Sequence, residues 1–269
     1  MSTASHTLSE AALAHFVALG FLVLRRMLND EEVATLRAEA ERALADGQAH
    51  SSDVAGVPLR FRQVALTADH TPFSTSLLVD DGRFLDAACA LLGRPALPMP
   101  AIATRQTGET GWHSDNERGR PLIQVAFVHY FQPLTGNTGA LRILPATHVL
   151  PSFAAIHRYL TLCGSPADQI VGQAIATRPG DVIAFDTRVL HASRGGGIRL
   201  RYNLLYQVDP QTDEEVAAHR DTLKDWAPIE AHPGGRRYPL YRDWLRNTPR
   251  HPRRTAIIAR MKQLDLVYA

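Results

Sequence analysis

Hydrophobic positions recur at helical spacing in the N-terminal third of the chain and at strand spacing in its middle. Apolar residues three and four positions apart predict amphipathic helices over 9–19, 30–45 and 80–92. Between residues 97 and 208, short apolar runs alternate with turn residues, a pattern typical of a β-sandwich or barrel. The chain is therefore predicted to be a mixed α+β protein, with helices flanking a core of β-strands.

The remaining stretches complete a single predicted domain over residues 1–269, a length that fits one large domain. Residues 47–59 are polar and contain glycine, so they are expected to form a loop. The last stretch is charged and helix-prone, and several prolines interrupt it. The domain thus divides into a mainly helical N-terminal part (1–95), a β core (96–208) and a helical C-terminal extension (209–269).

The composition of the chain argues against several classes of binding partner. The chain has 29 Lys and Arg against 27 Asp and Glu, a formal net charge of +2, which argues against a dedicated nucleic-acid surface. Two cysteines are too few for a disulfide framework. No apolar stretch reaches the roughly 18 residues of a transmembrane helix, and the N-terminus does not have the layout of a signal peptide. We expect a cytoplasmic monomer or homodimer that binds a small molecule, with no nucleic-acid or membrane partner.

The candidate chemistry begins with His113 and Asp115, which are two residues apart in a Trp-His-Ser-Asp sequence. In an extended strand, residues i and i+2 point to the same face, so this imidazole and this carboxylate can meet one metal ion. His191, far downstream, can supply a second imidazole. Two histidines and one carboxylate on one face of a metal leave three positions open, as in the facial triad of non-haem Fe(II) oxygenases.

A candidate binding group for a carboxylate follows the second histidine. Arg201 lies ten residues after His191 on a predicted strand, and a guanidinium there can hold a carboxylate in a bidentate fork. Arg199 shares a strand face with Arg201, because the two positions differ by two, and is the fallback for the same role. The pattern predicts a metal centre together with a site for a carboxylate-bearing co-substrate.

These segments resemble the phytanoyl-CoA dioxygenase family of Fe(II)/2-oxoglutarate-dependent dioxygenases, the group that also contains ectoine hydroxylase. Trp112–Asp115 resembles the metal motif, and residues 191–205 resemble the segment with the second histidine and the 2-oxoglutarate arginine. Residues 21–37 resemble the opening strand and helix, and 135–148 resemble the Asn-Gly to Pro-Gly-Ser-His segment of the family. Together the four segments cover most of the chain, residues 8–207.

The resemblance implies a double-stranded β-helix (jelly roll, cupin-like) with flanking α-helices. It implies Fe(II) bound by His113, Asp115 and His191, with 2-oxoglutarate held by Arg201 and O2 as co-substrate. Arg201 is favoured over Arg199 because Arg-x-Asn followed by apolar residues resembles the ectoine hydroxylase segment. Hydroxylation or a related oxidation is expected rather than halogenation, because halogenases of this superfamily replace the carboxylate ligand by a small residue.

Further pocket residues are predicted from their places beside the motif. Thr104 and Gln106 precede it on a strand and are candidates for contact with 2-oxoglutarate or substrate. The candidate substrate contacts flank the metal ligands or lie on later strands; they are Trp112, Asn116, Arg118, His129 and Asn203. The Asn-Glu-Arg-Gly sequence after Asp115 differs from the aromatic and acidic continuation of ectoine hydroxylases, which argues against ectoine as the substrate.

Two other functions stay open at this point. A zinc-dependent hydrolase also uses two histidines and a carboxylate, although such enzymes typically place two of the ligands on one helix. A non-catalytic jelly-roll protein that binds or senses a small molecule would keep the scaffold, and its usual signature is a missing ligand or arginine. Succinate release in the presence of iron and 2-oxoglutarate would separate the predicted oxygenase from the hydrolase, and metal analysis of protein purified without oxygen would separate it from the binding protein.

Overall fold

The fold is described by a computed structural model that covers most of the 269 residues. The description comprises a few positions between 154 and 170 and seven continuous ranges, which are residues 7–45, 50–53, 60–66, 71–116, 122–149, 172–226 and 251–266. The predicted contact residue Arg118 lies outside the described residues.

Helices occupy the N-terminal and C-terminal parts of the described chain, as the apolar spacing predicts. The α-helices are α1 (Glu10–Leu19), α2 (Asp30–Ala45), α3 (Pro72–Thr75), α4 (Arg83–Leu92), α5 (Asp213–Trp226) and α6 (Pro252–Gln263). A π-helical turn over Ser76–Asp80 follows α3. The helix predicted over 80–92 begins later than expected, because Gly82 adopts a left-handed conformation with φ 85° just before α4. Among these described helices, none is both long enough and apolar enough to cross a membrane.

Gly20 ends α1 and turns the chain directly into the first strand. It has a left-handed φ of 80°, and its N–H donates to Phe16 O at 2.7 Å. A Cβ at this position would lie 2.6 Å from His148 Nδ1 and closer still to Val189 Cγ2. Glycine is therefore required both by the backbone conformation and by the close approach of the turn that precedes His191.

The described strands form two antiparallel sheets. They are β1 (Phe21–Leu24), β2 (His50–Asp53), β3 (Arg60–Ala65), β4 (Ala96–Thr107), β5 (Thr110–His113), β6 (Gln124–Tyr130), β7 (Thr138–Ile143), β8 (Gln173–Ala174), β9 (Val182–Asp186), β10 (His191–Gly195) and β11 (Arg199–Val208). The larger sheet has the order β1-β9-β6-β11-β4-β3-β2, and the smaller sheet has the order β5-β10-β7-β8. This is the predicted jelly roll with flanking helices, so the fold class is confirmed.

Strand β2 corrects one prediction. The loop predicted over 47–59 is wrong for His50–Asp53, which pairs with β3 along four residues at the edge of the larger sheet. The sequence of this strand is polar because an edge strand can be held by main-chain hydrogen bonds to one neighbour, without an alternating apolar pattern.

The larger sheet has one face covered by helices and one inner face, because successive side chains of a strand alternate between faces. On the helix-covered face, Tyr206 Oη donates to Leu78 O at 2.7 Å, and the rings of Phe84 and Phe127 meet edge to face at 5.4 Å between centroids. The odd-numbered residues of β11 therefore lie on the inner face, which is where the candidate arginines are.

Directly opposite residues of neighbouring strands form rungs across the inner face. The register pairs Arg201 of β11 with Thr104 of β4 and with Tyr130 of β6. Arg199 stands opposite Gln106 one rung further along. We call the end of the barrel beyond Arg199 the closed end, and the end at which β5 stops and β10 starts the open end.

Helix α6 packs against the π-helical turn and α4 through ion pairs and apolar contacts. Arg254 pairs with Asp80 of the π-helical turn, and Arg253 Nη1 lies 2.6 Å from Asp86 Oδ1 of α4. Met261 of the same helix is fully buried in the core. Helix α6 is thus packed against the helices of the N-terminal part.

Candidate active site

His113, Asp115 and His191 lie together at the open end of the barrel, and we call them the metal-ligand cluster. His113 ends β5 and His191 begins β10, and the two are directly paired between these strands. Asp115 Oδ1 lies 3.6 Å from His113 Nε2 and 3.5 Å from His191 Nε2. One ligand atom from each residue lies within 4.8 Å of the other two. The structure thus brings the three predicted ligands to one point.

Hydrogen bonds to the backbone orient both imidazole rings of the cluster. His113 Nδ1 lies 2.8 Å from Gly111 O, and His191 Nδ1 lies 3.0 Å from Val189 O. Because a carbonyl oxygen can only accept, Nδ1 carries the proton in each ring and the lone pair of Nε2 is left for a metal. Both Nε2 atoms are the ones that face Asp115. Two imidazole nitrogens and a carboxylate oriented in this way fit a divalent metal ion.

The segment that leads into β10 also holds the backbone at Asp115. Thr187 O accepts hydrogen bonds from the N–H groups of Asp115 at 3.0 Å and of Asn116 at 3.2 Å. Two residues before Thr187, the ring of Phe185 packs against His191 with 4.9 Å between centroids. Residues 185–191 therefore position one histidine and fix the turn that carries the carboxylate.

The three residues of the cluster shift one another's pKa values. Burial lowers the pKa of His113, and the neighbouring His191 acts in the same direction. Burial would raise the pKa of Asp115, but the two imidazoles outweigh it and hold the pKa of this carboxyl well below its usual range. Burial would lower the pKa of His191, but Asp115 outweighs it and raises that pKa. The carboxylate is therefore ionised at neutral pH, as metal binding requires.

Arg201 reaches the inner face with a buried Nε that has no hydrogen-bond partner among the described residues. Its positive charge acts to lower the pKa of each residue in the metal-ligand cluster, although Asp115 raises that of His191 overall, so the guanidinium lies near the cluster. Thr104 Oγ1, directly opposite on β4, and Asn203 Oδ1, two residues further along β11, are likewise buried without a partner. A half-buried guanidinium whose Nε has no partner, beside polar groups that also have none, fits a carboxylate ligand.

Arg199 lies on the same face, but its guanidinium is already hydrogen-bonded. Its Nη1 donates to Gly195 O at 2.8 Å, and its Nη2 donates to Gly108 O at 2.6 Å. The side chain is 1% exposed, and a Cβ added at Gly139 would lie 2.8 Å from Arg199 Cδ. Arg199 therefore closes the floor of the barrel by joining β11 to the end of β10 and to the turn between β4 and β5.

Two buried residues flank the arginines on the neighbouring strands. Burial lowers the pKa of Arg199, whereas Tyr130 raises it and Arg201 lowers it further, so these three groups are neighbours. Gln106 is buried on β4 directly opposite Arg199. Sequence reasoning missed Tyr130, because only the register between β6 and β11 places it beside Arg201.

The structure does not bring His129 to the metal-ligand cluster. Its register partner on β11 is Tyr202, whose hydroxyl bonds to Ser74 on the helix-covered face. His129 Nδ1 lies 3.0 Å from Asp181 O, and the ring is 1% exposed on that same face. The expectation that His129 lines the pocket is therefore corrected, because the strand alternation points it away from the inner face.

Trp112 and Asn116 flank the cluster in different ways. Trp112 precedes His113 on β5 and so points to the opposite face, where its ring occupies the space that a Cβ of Gly172 would need. The proposed substrate contact of Trp112 is corrected for that reason. Asn116 is 3% exposed beside Asp115, and its Nδ2 donates to Leu122 O at 3.2 Å. Asn116 thus stays next to the cluster.

The fold and the arrangement of the candidate ligands are those of a 2-oxoglutarate-dependent oxygenase, a class of non-haem iron enzymes. The sequence also identifies the family. The model of the phytanoyl-CoA dioxygenase (PhyH) family matches residues 16–199, which is more than half of the chain, and the chain belongs to this family. The family predicted from the four motif segments is therefore confirmed.

Solved structures share the fold at low sequence identity. SnoN, a non-haem α-ketoglutarate-dependent epimerase from nogalamycin biosynthesis, is 18% identical with a TM-score of 0.62, and the match covers 86% of this chain and 92% of SnoN. HygX from Streptomyces hygroscopicus, solved with nickel, 2-oxoglutarate and hygromycin B, is 20% identical with a TM-score of 0.57, covering 77% and 90%. EctD from S. alaskensis, solved with 2-oxoglutarate and 5-hydroxyectoine, is 23% identical with a TM-score of 0.56, covering 78% and 82%. None of the curated proteins matches the sequence.

Proposed function

We propose that this protein is an Fe(II)- and 2-oxoglutarate-dependent oxygenase that hydroxylates, or otherwise oxidises, an unactivated C–H bond of a small molecule. Succinate and CO2 are the co-products. The observation that carries the proposal is the convergence, on one inner surface, of an oriented His-Asp-His cluster and a half-buried arginine whose Nε has no partner among the described residues. An amino acid or a natural-product intermediate is the proposed class of substrate; in support of the latter, SnoN is an enzyme of nogalamycin biosynthesis and HygX is described with hygromycin B bound.

The metal-ligand cluster would hold the iron through His113 Nε2, His191 Nε2 and the Asp115 carboxylate. Iron supplies the oxygen-activating chemistry when it is bound with 2-oxoglutarate and O2. The protein's own contribution is orientation, because Gly111 O and Val189 O fix the two rings. Asp115 occupies the ligand position that a halide would need, so a product with added oxygen or a new double bond is expected.

Arg201 would bind the distal carboxylate of 2-oxoglutarate, and Thr104 Oγ1 would donate a hydrogen bond to it. This assignment is supported by the lack of any partner for Arg201 Nε and Thr104 Oγ1 in the described part of the chain. Arg199 is the weaker candidate for the role, because its guanidinium already donates to two backbone carbonyls. Gln106 and Tyr130 would line the same end of the co-substrate site.

The test is succinate formation by protein purified without oxygen and supplied with Fe(II), 2-oxoglutarate and air. Such enzymes turn over 2-oxoglutarate slowly without substrate, so succinate above a metal-free control supports the proposal even before the substrate is known. Binding of 2-oxoglutarate to the anaerobic Fe(II) protein should also produce a metal-to-ligand absorbance band. A matched sample with zinc controls for non-specific decay of 2-oxoglutarate.

Absence of both the absorbance band and succinate would contradict the proposal. Ester or amide hydrolysis in the zinc sample would then favour a hydrolase, and metal binding without any turnover would favour a non-catalytic binding protein. A cytoplasmic location and a monomeric or homodimeric state remain predictions from the sequence.

A further inference from the structure

The turn over residues 145–148 lies beside the start of β10 and contributes no residue to the metal-ligand cluster. It follows β7 after one residue, and it belongs to one of the four motif segments of the sequence. His191, the first residue of β10, stands directly opposite Ile143, the last residue of β7. The turn is therefore next to the point at which one candidate metal ligand enters the smaller sheet.

The hydroxyl of Thr147 in this turn is inserted where a hydrogen bond of the strand ladder would otherwise form. The register of β7 with β10, extended by one residue beyond β7, places Leu144 opposite Leu190. Leu144 N–H donates to Leu190 O at 2.9 Å, as one half of an antiparallel pair does. For the other half, Leu190 N–H donates to Thr147 Oγ1 at 2.9 Å, and this hydroxyl donates to Leu144 O at 2.7 Å. One side-chain hydroxyl thus bridges the two backbone atoms that a direct ladder bond would join.

The backbone of the turn is held in an uncommon conformation on either side of this hydroxyl. Ala146 has a left-handed φ of 64°, which is unfavourable for a residue with a Cβ. Its N–H donates to Leu19 O at 3.0 Å, and His148 Nε2 lies 3.0 Å from Val17 O. Helix α1 therefore fixes the residues before and after Thr147. Strained backbone of this kind persists where the surrounding contacts fix it, and it is found most often at functional sites.

A single peptide group connects the Thr147 hydroxyl to the imidazole of His191. Leu190 is 3% exposed, so its N–H depends on the hydroxyl as its acceptor. The carbonyl of the same peptide group is Val189 O, which lies 3.0 Å from His191 Nδ1 and orients that ring. Because a peptide group is planar, the bond that holds Leu190 N–H also fixes the direction of Val189 O. The hydroxyl is thus connected to the ring through one rigid unit.

We infer that Thr147 is a positioning residue for the metal ligand His191, because its hydroxyl fixes the peptide group that orients the imidazole. The inference rests on the metal site of the proposed function. A side chain without the hydroxyl leaves Leu190 N–H without its acceptor or allows a direct ladder bond to Leu144 O, and either change turns Val189 O. Partners that orient histidine ligands typically contribute about 10- to 100-fold to metal affinity.

The experiment measures the affinity of the metal-free protein for Co(II) in the absence of oxygen, from the visible absorbance of the bound ion. Two comparisons at one position isolate the hydroxyl. Thr147→Val keeps nearly the shape of the parent side chain, whereas Thr147→Ser and Thr147→Ala differ from each other only in the oxygen atom. The second comparison remains available if valine prevents folding. The matched control is Thr75→Val, since Thr75 is also buried and its hydroxyl donates to Thr71 O at 2.7 Å.

Thr147→Val should weaken Co(II) binding by roughly 10-fold, and Thr147→Ala should bind more weakly than Thr147→Ser by a similar factor. Thr75→Val should bind Co(II) as the parent protein does, although both valine variants should lower the melting temperature by about 2–4 °C. Unchanged affinity without the hydroxyl, or an equal loss in Thr75→Val, would overturn the inference. Unfolding of both variants that lack the hydroxyl would also overturn it, because the hydroxyl would then hold the fold rather than the ligand.

The same samples, supplied with Fe(II), 2-oxoglutarate and air, separate this inference from the proposed function. A parent protein that does not bind Co(II) would overturn the metal assignment and the inference with it. Co(II) binding by the parent without succinate release from the Fe(II) sample would contradict the proposed function alone, because the comparison at position 147 requires only a bound metal.

Discussion

Two neighbouring regions of the barrel interior each contain an arginine, but only one of the two is hydrogen-bonded to other described residues. At the closed end, Arg199 is buried and donates to two backbone carbonyls and weakly to Ser193 Oγ. One rung away, Arg201 has a buried Nε with no partner in the described part of the chain. The two positions are two residues apart on one strand face, so sequence spacing alone treats them alike.

Hydrogen-bond saturation, rather than charge, separates the structural arginine from the candidate ligand-binding one. A guanidinium has five N–H donors, and a protein leaves buried donors unpaired only where something else pairs with them. Arg199 therefore belongs to the wall of the barrel, whereas Arg201 and Thr104 are the candidates for binding an anion. The predictions below test this division, beginning with the proposed metal site.

The largest effect is expected for the metal-ligand cluster. His113→Ala or His191→Ala should lower succinate release by more than about 1,000-fold, because loss of one ligand leaves the metal without its facial set. Circular dichroism should show that the fold survives. His15→Ala is the matched control, since His15 contacts Phe21 rather than the cluster. Near-normal turnover in either cluster variant would remove the metal assignment.

Arg199→Met should cost about 3 kcal/mol of unfolding free energy, because it removes the hydrogen bonds that this fully buried guanidinium donates to the carbonyl groups of Gly195 and Gly108. Arg201→Met should leave the stability of the metal-free protein unchanged or raised, since it removes a half-buried charge whose Nε has no partner in the described part of the chain. Urea unfolding of both variants measures the difference. Equal destabilisation by the two changes would contradict the division between wall and site.

For 2-oxoglutarate binding, substitution of Arg201 should have a larger effect than substitution of Arg199, which is the reverse of the order expected for stability. Arg201→Met should weaken 2-oxoglutarate binding by roughly 10- to 150-fold, because a charge-assisted pair contributes about 1.5–3 kcal/mol. Arg201→Lys should recover only part of the loss, because an ammonium cannot present a planar fork. Titration of the anaerobic Fe(II) protein at the metal-to-ligand absorbance band tests this beside Arg199→Lys. A large loss of affinity in the Arg199 variant alone would move the role to Arg199.

The smallest effect concerns an arginine that has a carboxylate partner, Arg94 with Glu215 at 2.9 Å. The hydrogen bond from Arg94, with that from Gln211 N, lowers the pKa of Glu215 from 4.5 to about 2. Because the folded pKa is the lower one, the stabilisation is complete above about pH 4.5 and is lost as the pH falls towards about 2. Arg94 is partly exposed, so Glu215→Gln should remove about 1 kcal/mol at neutral pH and nothing at about pH 2. A pH-independent difference in unfolding free energy would contradict the pairing.

The local spacing of apolar residues predicts the N-terminal helices but misses the strand at the edge of the larger sheet. The apolar spacing of residues 9–19 and 30–45 predicts α1 and α2 within one residue, because each helix buries one stripe against the core. Strand β2 is missed, since its four polar residues are held by pairing with β3 rather than by burial of an apolar face. Pairing between distant segments leaves no local periodicity to read.

By itself, the sequence determined the family and the jelly-roll class, and it predicted the three candidate metal ligands that the structure brings together. His113 and Asp115 can be recognised because strand alternation puts residues two apart on one face wherever the strand lies. Only the tertiary structure decided which residues share that face with them. The register between β6 and β11 turns Tyr130 inwards and His129 towards the helices, and it pairs Gln124 with Gln207. The carbonyls of Gly108 and Gly195 are brought to Arg199 by chain segments distant in sequence, so no local pattern could separate it from Arg201.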